Sequence, residues 1–225
     1  RFEFARMARP PILVYTDAMY NAPTRTGRLG FAFYDPECDD SSLPADMIGP
    51  RRTGWFHSSY TVPADVLALF AERQQYVGQL EVLAAVVPYS TCPEALRGRD
   101  VIHFIDNTGA MFGLAKGYSG DDDSARLIHA YHCILSAIDA NVWLEYVPSG
   151  ANLADLPSRD EFTLLREWGS VWVSTVLPPI GGDWSAVFFS YFETLAGKPD
   201  GAAKRSIARI AGLAADLRAA KRARR

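Results

Sequence analysis

Residues 12–19 read ILVYTDAM, an apolar run of strand-forming residues that is interrupted by Asp17. Consecutive β-branched and aromatic residues are typical of a buried strand. A carboxylate at the end of such a strand costs desolvation free energy unless a cap, an ion pair or a metal ion compensates it. The stretch therefore predicts a strand over residues 12–17 and makes Asp17 a candidate functional residue.

The composition is that of a globular protein. The chain has 225 residues, of which 48% are hydrophobic, so it can form a full core as one large domain or one domain with an appendage. No run approaches the roughly 20 apolar residues of a membrane span. The three scattered cysteines do not have the spacing of a disulfide framework or a zinc finger. We therefore expect an intracellular protein, cytoplasmic or nuclear, and the start at Arg1 suggests part of a longer chain.

The net charge of −3 hides a strong asymmetry. From Lys198 onward the sequence has nine basic residues against Asp200 and Asp216, which leaves −10 on residues 1–197 and +7 on the tail. A basic tail suits a polyanion partner or a targeting address, although a solvated helix with charged ends is an equal alternative. The candidate phosphate contacts there are Lys204, Arg205, Lys221 and Arg222.

Apolar periodicity predicts an α/β protein with a mixed sheet. Further strands are predicted over residues 28–35, 53–62, 100–106 and 141–148. Helices are predicted from Pro63, over 76–87 with an apolar stripe of Leu80, Leu83, Ala84 and Val87, and over 121–139. Three successive strands without an intervening helix indicate an antiparallel meander, and the later alternation of strands and helices indicates α/β packing.

Four acids occupy positions that this order could bring together. Glu81 lies in the apolar helix stretch GQLEVLAAV, Asp106 follows the strand DVIHFI, and Asp155 lies in NLAD, after the last strand. Each has a structural alternative, since an Asp can form a turn, cap a helix or make an Asx turn. Four carboxylates around one point would repel each other, and a divalent cation with oxygen ligands is the usual remedy.

Four short stretches carry a resemblance to a known family. YTDA (15–18), QLEVLAA (79–85), FIDNTGA (104–110) and VPSGANLADLPSR (147–159) resemble motifs of the ribonuclease H domain of retroelement reverse transcriptases. The fourth is the most specific, and the resemblance covers about residues 11–160. Unlike many members of that family, this chain has no His shortly before its last Asp, and its loop over residues 25–53 is richer in Pro and Asp. These departures bear on the turnover rate and on substrate binding, and they remove none of the four carboxylates.

The resemblance implies a fold, a reaction and a set of ligands. It implies a ribonuclease H-like sheet of five strands, three antiparallel and then two parallel, flanked by helices. It also implies a two-metal endonuclease that cuts the RNA strand of an RNA–DNA hybrid, with Mg²⁺ as the cofactor and Mn²⁺ as a substitute. By this resemblance Asp17, Glu81, Asp106 and Asp155 are the catalytic, metal-binding residues. A reverse transcriptase domain in the parent chain is the implied partner.

The resulting division of the chain is a catalytic domain over residues 1–160, an aromatic-rich extension over 161–197 packed on it, and a basic helical tail over 198–225.

The functional alternative is a non-catalytic ribonuclease H-like scaffold or connection domain that binds nucleic acid or protein. A 3′–5′ exonuclease would need an acid two residues after Asp17, where Met19 stands, and a DDE recombinase would need its Glu last.

Other polar residues have two interpretations each. Asn107, Lys116 and Arg126 are candidate nucleic-acid contacts, with turn formation or solvated helix ends as the alternatives. His129, His132 and Cys133 share the helix predicted over residues 121–139, but no second ligand pair stands at zinc-site spacing.

Overall fold

A six-stranded mixed sheet forms the centre of the molecule in the computed structural model, which describes residues 9–38, 53–180, 191 and 194–196. The strands are β1 (Ile12–Asn21), β2 (Thr26–Tyr34), β3 (Trp55–Val62), β4 (Asp100–Ile105), β5 (Asn141–Tyr146) and β6 (Val171–Trp172). Their order across the sheet is β5-β4-β1-β2-β3-β6. Strand β1 therefore lies near the middle, between β4 and β2.

The strand directions confirm the predicted fold class. Strands β1, β2 and β3 form an antiparallel meander, whereas β4 and β5 run parallel to β1. The short strand β6 was not predicted, and it adds a sixth strand by pairing parallel to β3 at Phe56 and His57. Two residues are too few for a period-two pattern, so the sequence carried no signal for it.

Seven helices surround the described part of the sheet. They are α1 (Ala64–Leu67), α2 (Val77–Thr91), α3 (Pro93–Leu96), α4 (Thr108–Lys116), α5 (Asp122–Ile138), α6 (Asp155–Ser158) and α7 (Thr163–Glu167). The predicted helix over residues 121–139 corresponds to α5. Asp121 caps it by accepting a hydrogen bond of 2.8 Å from the Ser124 backbone N–H.

Helix α2 is buried on all sides, so the predicted apolar stripe is only one part of its buried surface. Every residue from Gln79 to Ser90 is buried, because the helix lies between the sheet on one side and helices α4 and α5 on the other. A helix that is apolar all round gives no amphipathic signal. Glu81 is therefore enclosed in the protein core and does not sit at a helix surface.

Strand β1 is longer than predicted, and Asp17 lies inside it. Pairing with β2 continues to Asn21, whereas pairing with β4 stops at the partners Thr16 and Ile105. Asp17 is thus the first residue of β1 beyond the end of β4. The prediction that Asp17 ends its strand was wrong, yet the residue does stand where the parallel part of the sheet ends.

The chain after residue 160 continues against the domain. Val173 and Ile180 belong to the hydrophobic core, and the Ser58 hydroxyl donates a hydrogen bond of 2.7 Å to the Val173 carbonyl. The predicted division at residue 160 remains a prediction, and the predicted helical tail over 198–225 lies outside the described residues. Within the described ranges, no helix combines the length and apolarity needed to cross a bilayer.

Candidate metal centre

Three of the four predicted acids meet at one end of the sheet. Asp17 extends from β1, Asp106 directly follows the neighbouring parallel strand β4, and Glu81 projects from α2, which packs across β1. One carboxylate oxygen from each lies within 4.8 Å of one from each of the others. The parallel pairing of β1 with β4 ends at Thr16 and Ile105, so the next residues, Asp17 and Asp106, lie close together, and the buried helix adds the third carboxylate.

Glu81 is the most buried of the three and carries an unpaired oxygen. Its side chain is 6% exposed, and Oε2 is buried without a hydrogen-bond partner. Burial, with added repulsion from Asp17 and Asp106, raises the Glu81 pKa to about 9, against the opposing effect of a hydrogen bond from the Ala18 backbone. A buried oxygen without a hydrogen-bond partner costs desolvation free energy, and a bound proton or cation would compensate this cost.

Asp17 is held in place by a neighbouring hydroxyl group. The Ser158 hydroxyl donates a short hydrogen bond to Asp17 Oδ2, and Ser158 itself is fully buried. Burial raises the Asp17 pKa to about 6; the Ser158 hydrogen bond and Arg159 oppose this rise, whereas Asp106 and Asp155 add to it. The contacts fix one oxygen of Asp17 from the side of α6.

The donor set fits a hard divalent cation. All three groups are carboxylates, which Mg²⁺ and Mn²⁺ prefer over nitrogen or sulfur ligands. The buried, unpaired Glu81 Oε2 is a second and independent indication, because a cation would supply the missing partner. Asp17, Glu81 and Asp106 are therefore the residues that could hold a metal ion.

Asp155, the fourth predicted ligand, lies close to this group but outside it. Its Oδ1 accepts a hydrogen bond of 2.8 Å from Arg159 Nε, and a terminal guanidinium nitrogen of Arg159 lies 2.7 Å from the same oxygen as an ion pair. It still raises the pKa of Asp17, so the two carboxylates interact electrostatically. Its role as a ligand remains a prediction.

The predicted nucleic-acid contacts have varied surroundings. Asn107 caps α4 by accepting a hydrogen bond of 3.0 Å from the Ala110 backbone N–H, so its turn-forming role is real. Lys116 is exposed at the end of α4, with Nζ 5.8 Å from the centre of the Phe112 ring. Arg126 is half exposed and lies 4.0 Å from Asp123. Lys204, Arg205, Lys221 and Arg222 lie outside the described residues.

The histidines of α5 are engaged within the protein. His132 Nε2 lies 2.8 Å from the Leu114 carbonyl oxygen, and His129 Nε2 lies 3.6 Å from the Cys133 sulfur. Within the described ranges these residues do not form a group of three potential metal ligands.

Three residues of the site received no role from the sequence. Ser158 holds Asp17, Asn152 donates a hydrogen bond of 3.0 Å from its side chain to the Thr16 carbonyl, and Gly30 pairs with Asp17 across β1 and β2. Asn152 and Ser158 belong to the stretch VPSGANLADLPSR, so a signal existed for them. Gly30 had none, because its importance depends on how closely α6 approaches the sheet.

The raised pKa of Glu81 predicts that the cation-free protein loses stability as the pH rises. A carboxyl whose folded pKa exceeds its unfolded value, about 4.3, contributes stability below that value and loses it as the pH rises through the folded pKa, here about 9. Thermal melting in EDTA should therefore show a falling melting temperature from pH 6.5 to 8.5, and Glu81→Gln should flatten this slope. Parallel slopes for the two proteins would contradict the assignment.

The chosen range avoids the other shifted carboxyl and histidine groups. The buried thiols of Cys92 and Cys133, with pKa values raised to about 12 and about 11, are present in both proteins and so do not affect the difference between the two slopes. His57 and His103 have pKa values lowered by burial to about 4 and about 3, so they change stability mainly below pH 6.5 and in the opposite direction. Asp17, with a folded pKa of about 6, has lost most of its contribution by pH 6.5. Glu81 is then the main shifted carboxyl among those described that titrates across the range.

Comparison with known proteins gives likenesses in structure alone. No protein-family model matches the sequence, and no curated protein matches it. Ribonuclease H1 from the halophilic archaeon Halobacterium salinarum is similar at 14% identity and a TM-score of 0.48, over 68% of this chain and 98% of that chain. The N-terminal ribonuclease H domain of a Mycobacterium tuberculosis protein, solved fused to maltose-binding protein, is similar at 10% identity and a TM-score of 0.46, over 71% and 98%.

Proposed function

We propose that this protein is a metal-dependent endonuclease that cleaves the RNA strand of RNA–DNA hybrids. The observation that carries the proposal is the convergence of Asp17, Glu81 and Asp106 within 4.8 Å, together with the buried, unpaired Glu81 Oε2. Such an all-carboxylate group is suited to binding Mg²⁺ or Mn²⁺ next to a phosphodiester. The motifs around these residues support ribonuclease H chemistry over other phosphodiester hydrolysis.

The carboxylates would bind two divalent ions, with Asp155 as the fourth ligand. Such ions, when bound, supply an activated water and stabilise the departing 3′ oxygen. The contribution of the protein is preorganisation: α2 is fixed on all sides, Ser158 holds Asp17, and Ala18 donates a backbone hydrogen bond to Glu81. Side chains that are already oriented need little reorganisation when the substrate binds.

The proposed substrate and parent protein rest on the resemblance of the sequence motifs. Asn107, Lys116 and Arg126 are the proposed nucleic-acid contacts in the described part of the chain, and a reverse transcriptase polyprotein is the proposed parent. A hybrid substrate would place the activity in the cytoplasm or the nucleus.

The direct test uses one labelled RNA strand annealed to DNA, with Mg²⁺, Mn²⁺ or EDTA. We expect metal-dependent cuts in the RNA that leave a 5′-phosphate, and no cuts in matched DNA–DNA or RNA–RNA duplexes. Binding of the hybrid without cleavage under any metal condition would favour the non-catalytic scaffold. Cleavage in EDTA would overturn the metal-dependent mechanism.

Added Mn²⁺ should raise the melting temperature of the cation-free protein. An ion that binds only the native state stabilises it by about 2.7 kcal/mol at one hundred times its dissociation constant, or roughly 5–10 °C here. Asp17→Asn should lose this gain, whereas Asp122→Asn, at an exposed position in the first turn of α5, should keep it. Equal gains for both variants would remove Asp17 from the proposed ligands.

Deletion of residues 198–225 should weaken hybrid binding without changing the rate at saturation. The body carries −10 and the tail +7, so the tail is the concentrated positive charge of the sequence. If about four tail charges contact phosphates, affinity should fall by roughly two decades between 50 and 200 mM salt. The truncated protein should lose most of this salt dependence. Equal salt slopes for the full-length and truncated proteins would indicate that the tail does not bind the hybrid and is a targeting address or a linker.

A further inference from the structure

Arg159 is bound to the predicted fourth ligand. Two of its guanidinium nitrogens lie 2.8 and 2.7 Å from the same Asp155 oxygen. The Arg159 side chain is 60% exposed and that of Asp155 30% exposed, so the pair lies at the surface beside the buried carboxylates. The Arg159 guanidinium is therefore bound to the carboxylate that the sequence motif predicts to be a metal ligand.

The backbone that carries this pair is fixed on the sheet. Ser158, between Asp155 and Arg159 on the same turn, is fully buried and donates its hydrogen bond to Asp17. The absence of a side chain at Gly30 lets α6 approach β2, since an added Cβ would lie 2.7 Å from the Ala154 carbonyl oxygen. The backbone of Asp155 is thus held next to Asp17, which Ser158 contacts from the same turn.

We propose that Arg159 is the internal counter-ion of Asp155 in the cation-free protein, and that it changes partner when the site fills. A divalent ion takes over Asp155, and the freed guanidinium binds a phosphate of the nucleic acid. An exposed ion pair is weak, so a doubly charged ion competes well with it. A planar guanidinium binds phosphate in a bidentate manner. This inference rests on the proposed function, because it assumes that a polynucleotide binds at the acid group.

The first experiment measures Mn²⁺ binding without nucleic acid, by isothermal titration calorimetry and by the electron paramagnetic resonance signal of free Mn²⁺. Wild type should bind one ion more tightly than the second. Arg159→Gln should bind the second ion about two- to fivefold more tightly, because the ion no longer has to break an exposed ion pair. The affinity for the first ion should be unchanged. Arg159→Lys should lie between the two.

The matched control is Arg166→Gln, which removes the same charge from α7. The Arg166 guanidinium carbon lies 5.7 Å from the centre of the Phe162 ring. It should leave both Mn²⁺ affinities unchanged, whereas a general charge effect would alter both variants alike. Melting curves of each variant establish that the fold is retained.

The second experiment measures hybrid binding with Ca²⁺ and with EDTA, with a gel to verify that the RNA stays intact. Arg159→Gln should weaken binding and lower the salt slope by about one in Ca²⁺, and should have little effect in EDTA, where Asp155 holds the guanidinium. Equal weakening under both conditions would overturn the change of partner.

The two hypotheses fail in different ways. Metal-dependent cleavage with unchanged Mn²⁺ binding in Arg159→Gln would overturn this inference and leave the proposed function standing. The absence of Mn²⁺ binding in both proteins, with no cleavage, would overturn the proposed function itself.

Discussion

Replacing Glu81 by Gln should abolish cleavage of an RNA–DNA hybrid and raise the melting temperature of the cation-free protein. The raised pKa of Glu81, about 9, means that at neutral pH this carboxyl is ionised in the unfolded chain and must take up a proton to be buried, which costs stability. Glutamine is neutral in both states and avoids this cost. The same substitution weakens the metal ligand, so activity and stability should change in opposite directions. A general folding defect would lower both.

The effect on cleavage should be at least about a hundredfold, which corresponds to ~2.7 kcal/mol of transition-state stabilisation. Asp106→Asn should behave in the same way, because Asp106 is part of the same group. Glu94→Gln is the matched control, since Glu94 is a highly exposed residue paired with Arg97. It should keep full activity. If Glu81→Gln or Asp106→Asn retains more than about a tenth of wild-type activity, that residue is not a required ligand.

Replacing Gly30 by Ala should destabilise the protein and separate α6 from the acid group. An added Cβ would lie 2.7 Å from the Ala154 carbonyl oxygen and 2.8 Å from the Ser158 Cα. Both neighbours are backbone atoms, so they cannot move aside by changing rotamer. Overpacking of this kind costs about 1–3 kcal/mol, or a fall of roughly 2–12 °C in melting temperature.

The displacement should also be visible at Asp17. Gly30 is the partner of Asp17 across β1 and β2, and Ser158 holds Asp17, so a shifted α6 should weaken Mn²⁺ binding as well as stability. Gly78→Ala is the control, because an added Cβ at Gly78 in the first turn of α2 meets nothing within 4 Å. Alanine there should raise stability by up to ~1 kcal/mol. An unchanged melting curve for Gly30→Ala would mean that α6 is less closely packed than described.

The order of the strands and helices could be predicted because local sequence patterns indicate most of them. The strand runs are short, apolar and bounded by turn residues, and α5 shows both a capping acid and an amphipathic face. Helix α2 was harder, since burial on all sides removes the contrast between its faces. The end of β1 was misplaced for a related reason: whether a strand continues depends on its partners, and β2 continues beside β1 after β4 has ended.

The sequence motifs identified the residues of the candidate site but not their contacts. The sequence singled out Asp17, Glu81 and Asp106 before any geometry was known, because carboxylates among apolar neighbours are costly. It also marked Asn152 and Ser158 as part of one stretch without assigning contacts to them. Their partners are Thr16 and Asp17, and both pairs join residues more than 130 positions apart.

By itself, the sequence determined the α/β class, the order of the principal strands and helices, and the acids that stand among or next to their apolar residues. These are local properties, set by side-chain periodicity and by the cost of placing a charge beside apolar residues. Only the tertiary structure decided that three of the acids meet, that Glu81 Oε2 is buried without a partner, and that Asp155 is held by Arg159. The reason is that separation, burial and competition for a partner depend on how distant segments pack, and most of the segments that form this site come from separate parts of the chain.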